Sequence, residues 1–313
     1  MTRNGTVSRR SARALACFGA WALLLPAVAF ADITITLDNS FIEKYKDRAT
    51  IAANFTVAHA HPKPNPAAKD GDLHAAGTAP EIGLSTVAEI MNAKLSPKAV
   101  AALHGSESSG DPVAVEGVWR LWCEHGGDSE QVQGQDPPPP IDNTNPPHVF
   151  EIHPLTAVDD QRLASDFKPI TGFKYKDADQ AFLAYEKLAS QITPGASQTT
   201  IRTTMGGYNY VEFVLELNED PTHQLDDGLT VFASILNQAG ELLVRNRRMV
   251  FVKDTAPFAK VGTLKKGDQL HVVGVPRISL SLLNWRIQNA TARPEVLNWT
   301  LPYEIVVVAV LPK

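Results

Sequence analysis

The sequence predicts a mainly β protein with a few helices, built as two domains behind an N-terminal export segment. Apolar residues make up 44% of the 313 residues and charged residues 20%, a balance that supports packed cores and argues against disorder. Short β-branched and apolar runs recur between proline and glycine turns. After a leader of 31 residues, 282 residues remain, which suffices for two domains at about 100–200 residues each.

Residues 1–31 are typical of a secretory signal peptide. Basic residues as far as Arg13 precede an apolar run over 14–30, and Ala29-Phe30-Ala31 supplies the small residues of a cleavage site. A membrane anchor is the alternative, but the run contains Pro26 and is shorter than the roughly 20 residues that a spanning helix needs. We therefore expect a periplasmic or secreted protein with no membrane span after cleavage.

The mature chain is acidic, and the acidity is uneven. It carries 25 basic and 34 acidic residues, a net charge of −9, which argues against nucleic acid as a partner because phosphate backbones attract positive charge. Residues 32–157 contain 8 basic and 17 acidic residues, whereas residues 158–313 contain 17 of each. Seven of the nine histidines also lie in the first part. The chemistry-bearing side chains are therefore concentrated there.

Cysteine usage excludes an intrachain disulfide in the mature chain. Cys17 is expected to leave with the signal peptide, so Cys123 would be the one remaining thiol. Because Cys123 lies in a strand-like run, we interpret it as a small buried apolar residue rather than a nucleophile.

The first domain, residues 32–157, is predicted to contain three strands, a helix and two further strands. Ser96 and Pro97 are typical of a helix start, and two proline-rich loops interrupt the pattern. The strands are expected over 49–59, 72–78, 85–91, 113–125 and 148–154, the helix over 96–104, and the loops over 61–72 and 126–147, the second including Pro137–Pro140.

This order of elements predicts an OB-like five-stranded barrel, with a generic α+β domain as the alternative. In OB barrels, the loop between the first two strands and the loop between the last two strands flank the binding face, and here both are long. A site is therefore predicted between them.

After a linker over 158–176, a second β-rich domain over 177–313 is predicted to begin with a helix. Asp177 or Asp179 can cap that helix, whose apolar positions recur at helical spacing as far as Ile192. Gly206-Gly207 indicates a tight hairpin between two strands. This domain could be a second OB-like barrel, with strands expected over 199–205, 208–217, 229–236, 242–252, 269–275 and 303–311.

One fragment occurs twice in similar form. The run Lys69-Asp70-Gly71-Asp72-Leu73-His74 resembles Lys265-Lys266-Gly267-Asp268-Gln269-Leu270-His271 if one insertion is allowed. The likeness fits either a duplication or a common Gly-Asp turn before an apolar strand, and we favour the turn.

Two strands of the first domain place carboxylates and imidazoles by alternation. Asp72 and His74 share one face of the second strand, and Glu151 and His153 share one face of the fifth. Oxygen and imidazole ligands suit a divalent ion such as Zn²⁺, Mn²⁺ or Ca²⁺. We predict these four residues as metal ligands, with a turn and strand-end hydrogen bonds as the alternative interpretation. Further candidates are Glu89, Glu124 and His125.

The fourth strand and the ends of its loop supply candidates for binding an organic ligand. Trp119 and Trp122 flank Arg120, and aromatic rings on such a face can stack on a sugar or a base. His125 and His148 lie at the two ends of the long loop. The alternative for the tryptophans is core packing.

A basic run in the second domain offers an anionic partner, or the acidic first domain, a docking surface. The simpler interpretation is a solvated strand face. The run comprises Arg245, Arg247, Arg248 and Lys253.

The first domain resembles a family of uncharacterised exported bacterial proteins in which an Asp-Gly-Asp-x-His segment precedes a Glu-Ile/Leu-His-Pro segment. The resemblance implies an OB-like domain and no particular activity. It rests on Lys69-Asp70-Gly71-Asp72-Leu73-His74, Val87-Ala88-Glu89-Ile90, Gly117-Val118-Trp119-Arg120 and Glu151-Ile152-His153-Pro154.

A second, shorter resemblance lies in the other domain. Residues 264–274 are similar to the late strand of single-stranded-DNA-binding OB domains. This likeness implies a fold only, because export and net acidity disagree with DNA binding.

Two functional hypotheses follow, and a purely structural role, in which residues 126–147 can be deleted without loss of any interaction, is the third possibility. The first is an exported, non-enzymatic protein that binds an extracytoplasmic ligand or protein between the two loops. The alternative is a metal-dependent hydrolase that uses Asp72, His74, Glu151 and His153 as ligands and Glu89 or Glu124 as the base. Neither a Gly-x-Ser-x-Gly elbow nor a phosphate loop nor a Cys-x-x-Cys pair occurs in the sequence, which favours the first hypothesis.

Overall fold

The computed structural model describes residues 1–2, 32–126, 130–135, 141–291 and 295–312. The predicted signal peptide, apart from its first two residues, and the proline run 137–140 lie outside the described residues. Among the helices that are described, none has both the length and the apolarity needed to cross a membrane.

Short strands dominate the described chain. In the first half they are β1 (Asp32–Asp38), β2 (Thr50–Ala60), β3 (Leu73–Thr78), β4 (Thr86–Ile90), β5 (Val113–Leu121), β6 (Glu130–Val132), β7 (Phe150–Val158) and β8 (Gln161–Arg162). In the second half they are β9 (Lys176–Asp177), β10 (Ala189–Pro194), β11 (Gln198–Thr204), β12 (Val211–Leu217), β13 (His223–Leu225), β14 (Gly228–Leu236), β15 (Leu242–Val252), β16 (Gln269–Ile278), β17 (Leu297–Thr300) and β18 (Tyr303–Val310).

Helices connect the strands at a few positions. Pro97 and Gly110 bound the longest helix, as expected of a proline in the first turn and a left-handed glycine at the end. The helices are α1 (Asn39–Tyr45), α2 (Pro97–Ser109), α3 (Ala178–Tyr185), α4 (Ala256–Val261) and α5 (Leu280–Gln288), with 3₁₀ turns at Ala93–Leu95 and Ala164–Asp166.

The first barrel closes five strands in the order β2–β3–β4–β7–β5 and back to β2. All its pairs are antiparallel except β4 with β7, and α2 joins its third and fourth strands. The predicted order of three strands, a helix and two strands is therefore present.

The second barrel has the same topology. It closes in the order β12–β14–β15–β18–β16 and back to β12, and β15 with β18 is its one parallel pair. Its helix α4 likewise joins the third and fourth strands. Two closed five-stranded barrels confirm the predicted mainly β fold class.

A third sheet joins the two halves of the chain in the order β17–β10–β11–β1–β6. Strand β1 pairs antiparallel with β11 along its whole length and parallel with β6. Its inward residues Ile33, Ile35 and Leu37 are buried in the same apolar core as both barrels. The barrels and this sheet therefore share one continuous core.

Two local predictions for the second half were wrong. The helix ends at Tyr185 rather than near Ile192, because residues 189–194 pair as β10 with β11. The tight hairpin at Gly206-Gly207 does not form, because β11 belongs to the third sheet whereas β12 belongs to the second barrel. Those glycines therefore lie in a crossing between two sheets.

The predicted linker packs against the barrels. Phe167 and Ile170 are buried in a second apolar cluster that includes Met91 and Val118 of the first half and Tyr210 of the second. The segment also forms the short strands β8 and β9. It therefore covers part of the outer surface of the first barrel.

Reciprocal hydrogen bonds join the two barrels at equivalent positions. Arg120 on β5 donates through Nε to the carbonyl of Pro276, 3.0 Å away, and Arg277 on β16 donates through Nη1 to the carbonyl of Trp119, 3.1 Å away. Each arginine therefore bonds to the carbonyl of the residue that precedes the other arginine. The fourth strands of the two barrels face each other across this contact.

Candidate functional site

A cluster of buried polar side chains lies on the outer face of the first barrel. Alternation along β7 directs Phe150 and Ile152 into the apolar core and leaves Glu151 and His153 on the other face. The neighbouring strands β3, β4 and β5 add His74, Glu89 and Arg120, and the loop before β3 adds Asp72. We call these six residues the polar cluster. The second barrel covers this face through Tyr210 and Pro276, so most of the cluster is shielded from water.

The two predicted loops both end at the polar cluster. The first loop contributes Asp70 and Asp72 just before β3, and the second ends at His148 just before β7. Only part of the second loop is among the described residues.

His153 is held in one orientation by Tyr210. Tyr210 donates its hydroxyl proton to Asp72 Oδ2 over 2.6 Å, so its oxygen accepts the hydrogen bond from His153 Nε2 at 2.7 Å. The other oxygen of Asp72 accepts from the backbone amide of Asn92 at 3.3 Å. This chain of bonds directs the second ring nitrogen of His153 toward two carboxylates.

That second nitrogen, Nδ1, lies 3.4 Å from Glu89 Oε2 and 3.4 Å from Glu151 Oε2. The side-chain amide of Asn209 approaches the same nitrogen at 3.5 Å. His74 Nε2 lies 3.6 Å from Glu89 Oε2. Glu89 therefore stands between the two histidines.

Two buried atoms of the polar cluster have no hydrogen-bond partner. They are His74 Nε2 and Glu89 Oε2, which lie 3.6 Å apart. The side chain of Glu89 is 4% exposed and that of His74 is 18% exposed, so water contributes little to either. A buried polar atom without a partner costs about 1–3 kcal/mol, and in native proteins such an atom indicates strain, a functional role, or a bound water or ion.

Burial and neighbouring charges shift the titration of the polar cluster. Burial raises the pKa of Glu89 to about 8. Burial alone lowers the pKa of His153, but the carboxylates of Glu89, Asp72 and Glu151 outweigh it and raise that pKa to about 10. Burial also raises the pKa of Asp72 and lowers that of His74. The carboxylates thus favour a positive charge at His153.

Glu151 is paired on both of its oxygens. Arg120 Nη1 donates to Oε2 at 2.5 Å, and Arg120 Nη2 donates to Glu124 at 2.8 Å. His148 Nε2 lies 3.3 Å from Oε1. Burial opposes the charge on Glu151, but Arg120 and His148 hold its pKa well below the usual value.

The equivalent positions of the second barrel show which residues of the polar cluster the shared topology requires. The second barrel keeps the arginine and glutamate pair, because Arg277 faces Glu304 just as Arg120 faces Glu151. By strand order and register, the positions of His74, Glu89 and His153 are instead occupied by Thr230, Val250 and Val306. The fold therefore does not require the histidines or Glu89.

The predicted metal ligands Asp72, His74, Glu151 and His153 all lie within the polar cluster. The further candidate Glu89 lies at its centre, and one ligand atom from each of Asp72, Glu89 and His153 lies within 4.8 Å of the other two. Glu124 lies at the edge of the polar cluster, where it accepts a hydrogen bond from Arg120. His125 also lies at this edge, where it forms a second group with His148 and Glu151.

The predicted ligand-stacking residues are in the interior. Trp119 is fully buried, donates to the carbonyl of Arg48 at 2.8 Å and is covered by the guanidinium of Arg277 at 3.5 Å from the ring centre. Trp122 is also buried and packs edge-on against Tyr185. Because both tryptophans are buried, neither ring offers an open face to a ligand.

Arg120 and Cys123 are equally enclosed. The guanidinium of Arg120 is fully buried and engaged by two carboxylates and one carbonyl. Burial raises the pKa of the Cys123 thiol to about 12, so this cysteine is not a thiolate nucleophile.

The basic run of the second domain lies partly in ion pairs. Arg248 bonds to Glu304 at 2.8 Å, and Arg247 bonds to Glu186 at 2.7 Å and stacks on Tyr303. These two arginines therefore act inside the molecule.

Tyr210 is the residue of the site that the sequence did not indicate. It follows a loop of the second half and reaches the first barrel only through the tertiary packing. With Asn209 it also forms one wall of an open groove of about 480 Å³. A signal for the barrel contact was present, because Gly-Val-x-Arg occurs at 117–120 and 274–277 and Glu-Ile at 151–152 and 304–305.

Comparison with protein-family models and with curated proteins found no match for this chain.

Proposed function

We propose that this chain is an exported metal-binding protein whose first, OB-like barrel holds a divalent cation in the polar cluster. His74, Glu89 and His153 supply the ligand atoms, and Asp72 and Tyr210 position His153. The proposal is one of binding, and no reaction is assigned to the site. The closed five-stranded topology with a helix between its third and fourth strands supports the OB-like assignment.

The observation that carries the proposal is the pair of unpartnered buried atoms, His74 Nε2 and Glu89 Oε2, beside His153 Nδ1. Ligands at about 2.0–2.1 Å from a tetrahedral Zn²⁺ are about 3.4 Å apart. Glu89 Oε2 lies 3.6 Å from His74 Nε2 and 3.4 Å from His153 Nδ1, and both separations are close to that value. A cation at this point would satisfy both unpartnered atoms at once.

The orientation of His153 also supports a metal. A histidine that ligates a metal commonly donates its other ring N–H to a carboxylate or another acceptor, which fixes the tautomer. His153 does so through Tyr210, which in turn bonds to Asp72. Two imidazoles and one carboxylate favour Zn²⁺ over Ca²⁺ and Mg²⁺, which prefer oxygen ligands.

Charge balance agrees with a divalent cation. The polar cluster buries the carboxyl groups of Asp72, Glu89 and Glu151 against the single guanidinium of Arg120. A divalent cation would compensate the excess of two negative charges. When no cation is bound, protons on His153 and Glu89 compensate these two negative charges.

The test is Zn²⁺ binding by residues 32–313, purified without metal and titrated by calorimetry. We expect binding in the wild type and at least a hundredfold weaker binding at this site in the double variant His74→Ala/Glu89→Gln. At a free Zn²⁺ concentration one hundred times Kd, the ion should stabilise the fold by about 2.7 kcal/mol. For a chain of this size, whose unfolding entropy is about 0.6 kcal/mol/K, that is a rise in Tm of roughly 5 °C.

A matched control is available in the second barrel. His271 lies 2.9 Å from Glu212, so His271→Ala/Glu212→Gln removes the same residue types at a site to which no metal is assigned. This control should bind Zn²⁺ like the wild type. The proposal fails if the wild type shows no Zn²⁺-dependent rise in Tm, or if the His74/Glu89 variant keeps the full affinity.

A further inference from the structure

We propose that His125, His148 and Glu151 form a second divalent-metal site, on the side of Glu151 that faces away from Arg120. One ligand atom from each of these residues lies within 4.8 Å of the other two. The inference goes beyond the proposed function, because this group shares only Glu151 with the polar cluster and uses none of the three ligands proposed there.

The tautomer of His148 is fixed by a backbone carbonyl. Its Nδ1 lies 2.7 Å from the carbonyl oxygen of Pro146, which only accepts hydrogen bonds, so Nδ1 carries a proton. Its Nε2 lies 3.3 Å from Glu151 Oε1. Either a proton on Nε2 or a cation bound by both atoms satisfies this contact. Metal-binding histidines usually donate their other ring N–H to an acceptor of this kind, and here the acceptor is the Pro146 carbonyl.

His125 completes the group from the start of the loop that follows β5. Its ring stacks on that of His148 with centres 5.0 Å apart, and the amide of His148 donates to the carbonyl of His125 at 3.0 Å. This backbone bond holds the two histidines side by side at the ends of the long loop. Both histidines lie at the ends of that loop, four residues after β5 and two residues before β7, whereas Glu151 lies on β7 itself.

Glu151 divides its two oxygens between the two environments. Oε2 accepts the bond from Arg120 and faces His153, whereas Oε1 faces His148. Two imidazoles and one carboxylate are a ligand set of catalytic zinc sites, in which water takes the fourth position. His148 and Glu151 are buried but His125 is partly exposed, so the fourth position would face solvent on the side of His125.

The test is the stoichiometry of Zn²⁺ binding by residues 32–313, measured by calorimetry and by metal analysis after gel filtration. We expect two ions per wild-type chain. The double variant His125→Ala/His148→Ala should keep the ion of the polar cluster and lose the other. The variant His74→Ala/Glu89→Gln should show the reverse. Substituting Co²⁺ adds a visible absorption band for each tetrahedral ion, and this band should fall by about half in either variant.

The two proposals fail separately. One ion per chain that survives His125→Ala/His148→Ala overturns the second site and keeps the first. One ion that survives His74→Ala/Glu89→Gln but is lost in His125→Ala/His148→Ala overturns the first and keeps the second. If the His148 substitution prevents folding, His125→Ala alone tests the site, and unchanged stoichiometry and Co²⁺ absorption in that variant contradict it.

Discussion

Arg277 and Glu304 are buried charges whose partners are all in the protein. Glu304 is fully buried and accepts from Arg277 Nε at 2.7 Å and from Arg248 at 2.8 Å. Arg277 also donates to the carbonyls of Arg48, Ala49 and Trp119. Removing one partner of such a pair leaves the other charge uncompensated, which costs more than the pair contributes when intact.

We predict that Glu304→Gln destabilises the fold by about 3–5 kcal/mol at neutral pH. Burial opposes the charge, but Arg277 and Arg248 hold the pKa of Glu304 below its usual value of 4.5. The stabilisation by this carboxylate is therefore present above the unfolded pKa and is lost as the pH falls through the lower folded pKa. Urea unfolding at pH 7 and at pH 3 checks both statements, and the difference from wild type should narrow at pH 3.

The control for this prediction is the exposed pair Arg162 and Glu116, 3.5 Å apart. Glu116→Gln should cost about 1 kcal/mol or less, because solvent screens a surface pair. An equal loss in both variants would show that the burial of Glu304 contributes nothing.

Tyr210 is expected to tune metal affinity without contacting the ion. Tyr210→Phe removes the hydroxyl that joins His153 to Asp72, and loss of such an outer partner typically weakens metal binding by about 10–100-fold. Zn²⁺ competition with a chromophoric chelator measures the change. Tyr208→Phe, in the same groove, is the control and should bind like wild type. Equal affinities in the two variants would remove the positioning role of Tyr210.

The sequence predicted the positions of some residues of this site and not of others. Strand alternation correctly placed Glu151 and His153 on one face of β7, because period-two geometry is local. Tyr210 could not be placed in the same way, since its contact with His153 spans 57 residues and depends on how two barrels pack. The environment of Trp119 was ambiguous for the same reason, because the ring is covered by Arg277 from the other barrel.

At the scale of strands, one glycine in each barrel allows the fourth and fifth strands to pack closely. A Cβ added at Gly117 would lie 2.7 Å from Ile152 Cγ2 and 2.8 Å from the backbone of Leu155. A Cβ added at Gly274 would overlap Ile305 Cγ2. Both glycines precede the interface arginine of their strand by three residues, so the close approach and the arginine belong to one recurring arrangement.

We predict that Gly117→Ala and Gly274→Ala each destabilise the fold by about 1–3 kcal/mol, because the added methyl group overpacks the barrel. Gly105→Ala is the matched control, since it lies in α2 with nothing within 4 Å of the added Cβ. Alanine at that helical position should stabilise by about 0.5–1 kcal/mol. Chemical denaturation of the three variants decides the matter, and a loss at Gly105 equal to that at Gly117 would contradict the packing argument.

Strands could be predicted where local sequence delimits them. The prediction failed where pairing with a distant segment determines the strand. The runs of β2 to β5 were visible because turns and alternating apolar residues delimit them. The pairing of β1 with β11 was missed although Ile33, Ile35 and Leu37 alternate, because its partner lies about 165 residues further along the chain. The repeated Lys69 and Lys265 fragments lie at β3 and β16, which are not equivalent strands of the two barrels.

For the whole molecule, the third sheet and the shared core make the two barrels dependent on each other. Strands β1 and β6 come from the first half, whereas β10, β11 and β17 come from the second. Sheet and barrels contribute to one apolar core, and Arg120 and Arg277 bond across the interface. A boundary drawn between the barrels at residue 157 would therefore cut through strand pairs.

We predict one cooperative unfolding transition for residues 32–313, because neither barrel keeps its partners when the other opens. Scanning calorimetry should show a single peak whose calorimetric and van't Hoff enthalpies agree. Residues 32–157 expressed alone should lack a cooperative transition. Two separate peaks in the full chain, one for each barrel, would contradict the dependence.

Anomalous X-ray scattering at the zinc edge, from crystals of residues 32–313 grown with Zn²⁺, locates the ion directly. We expect an anomalous peak within about 2.3 Å of His74 Nε2, Glu89 Oε2 and His153 Nδ1. A well-ordered structure in which these three atoms enclose no peak, with His74 and Glu89 bonded only to each other or to water, would contradict the proposed metal site.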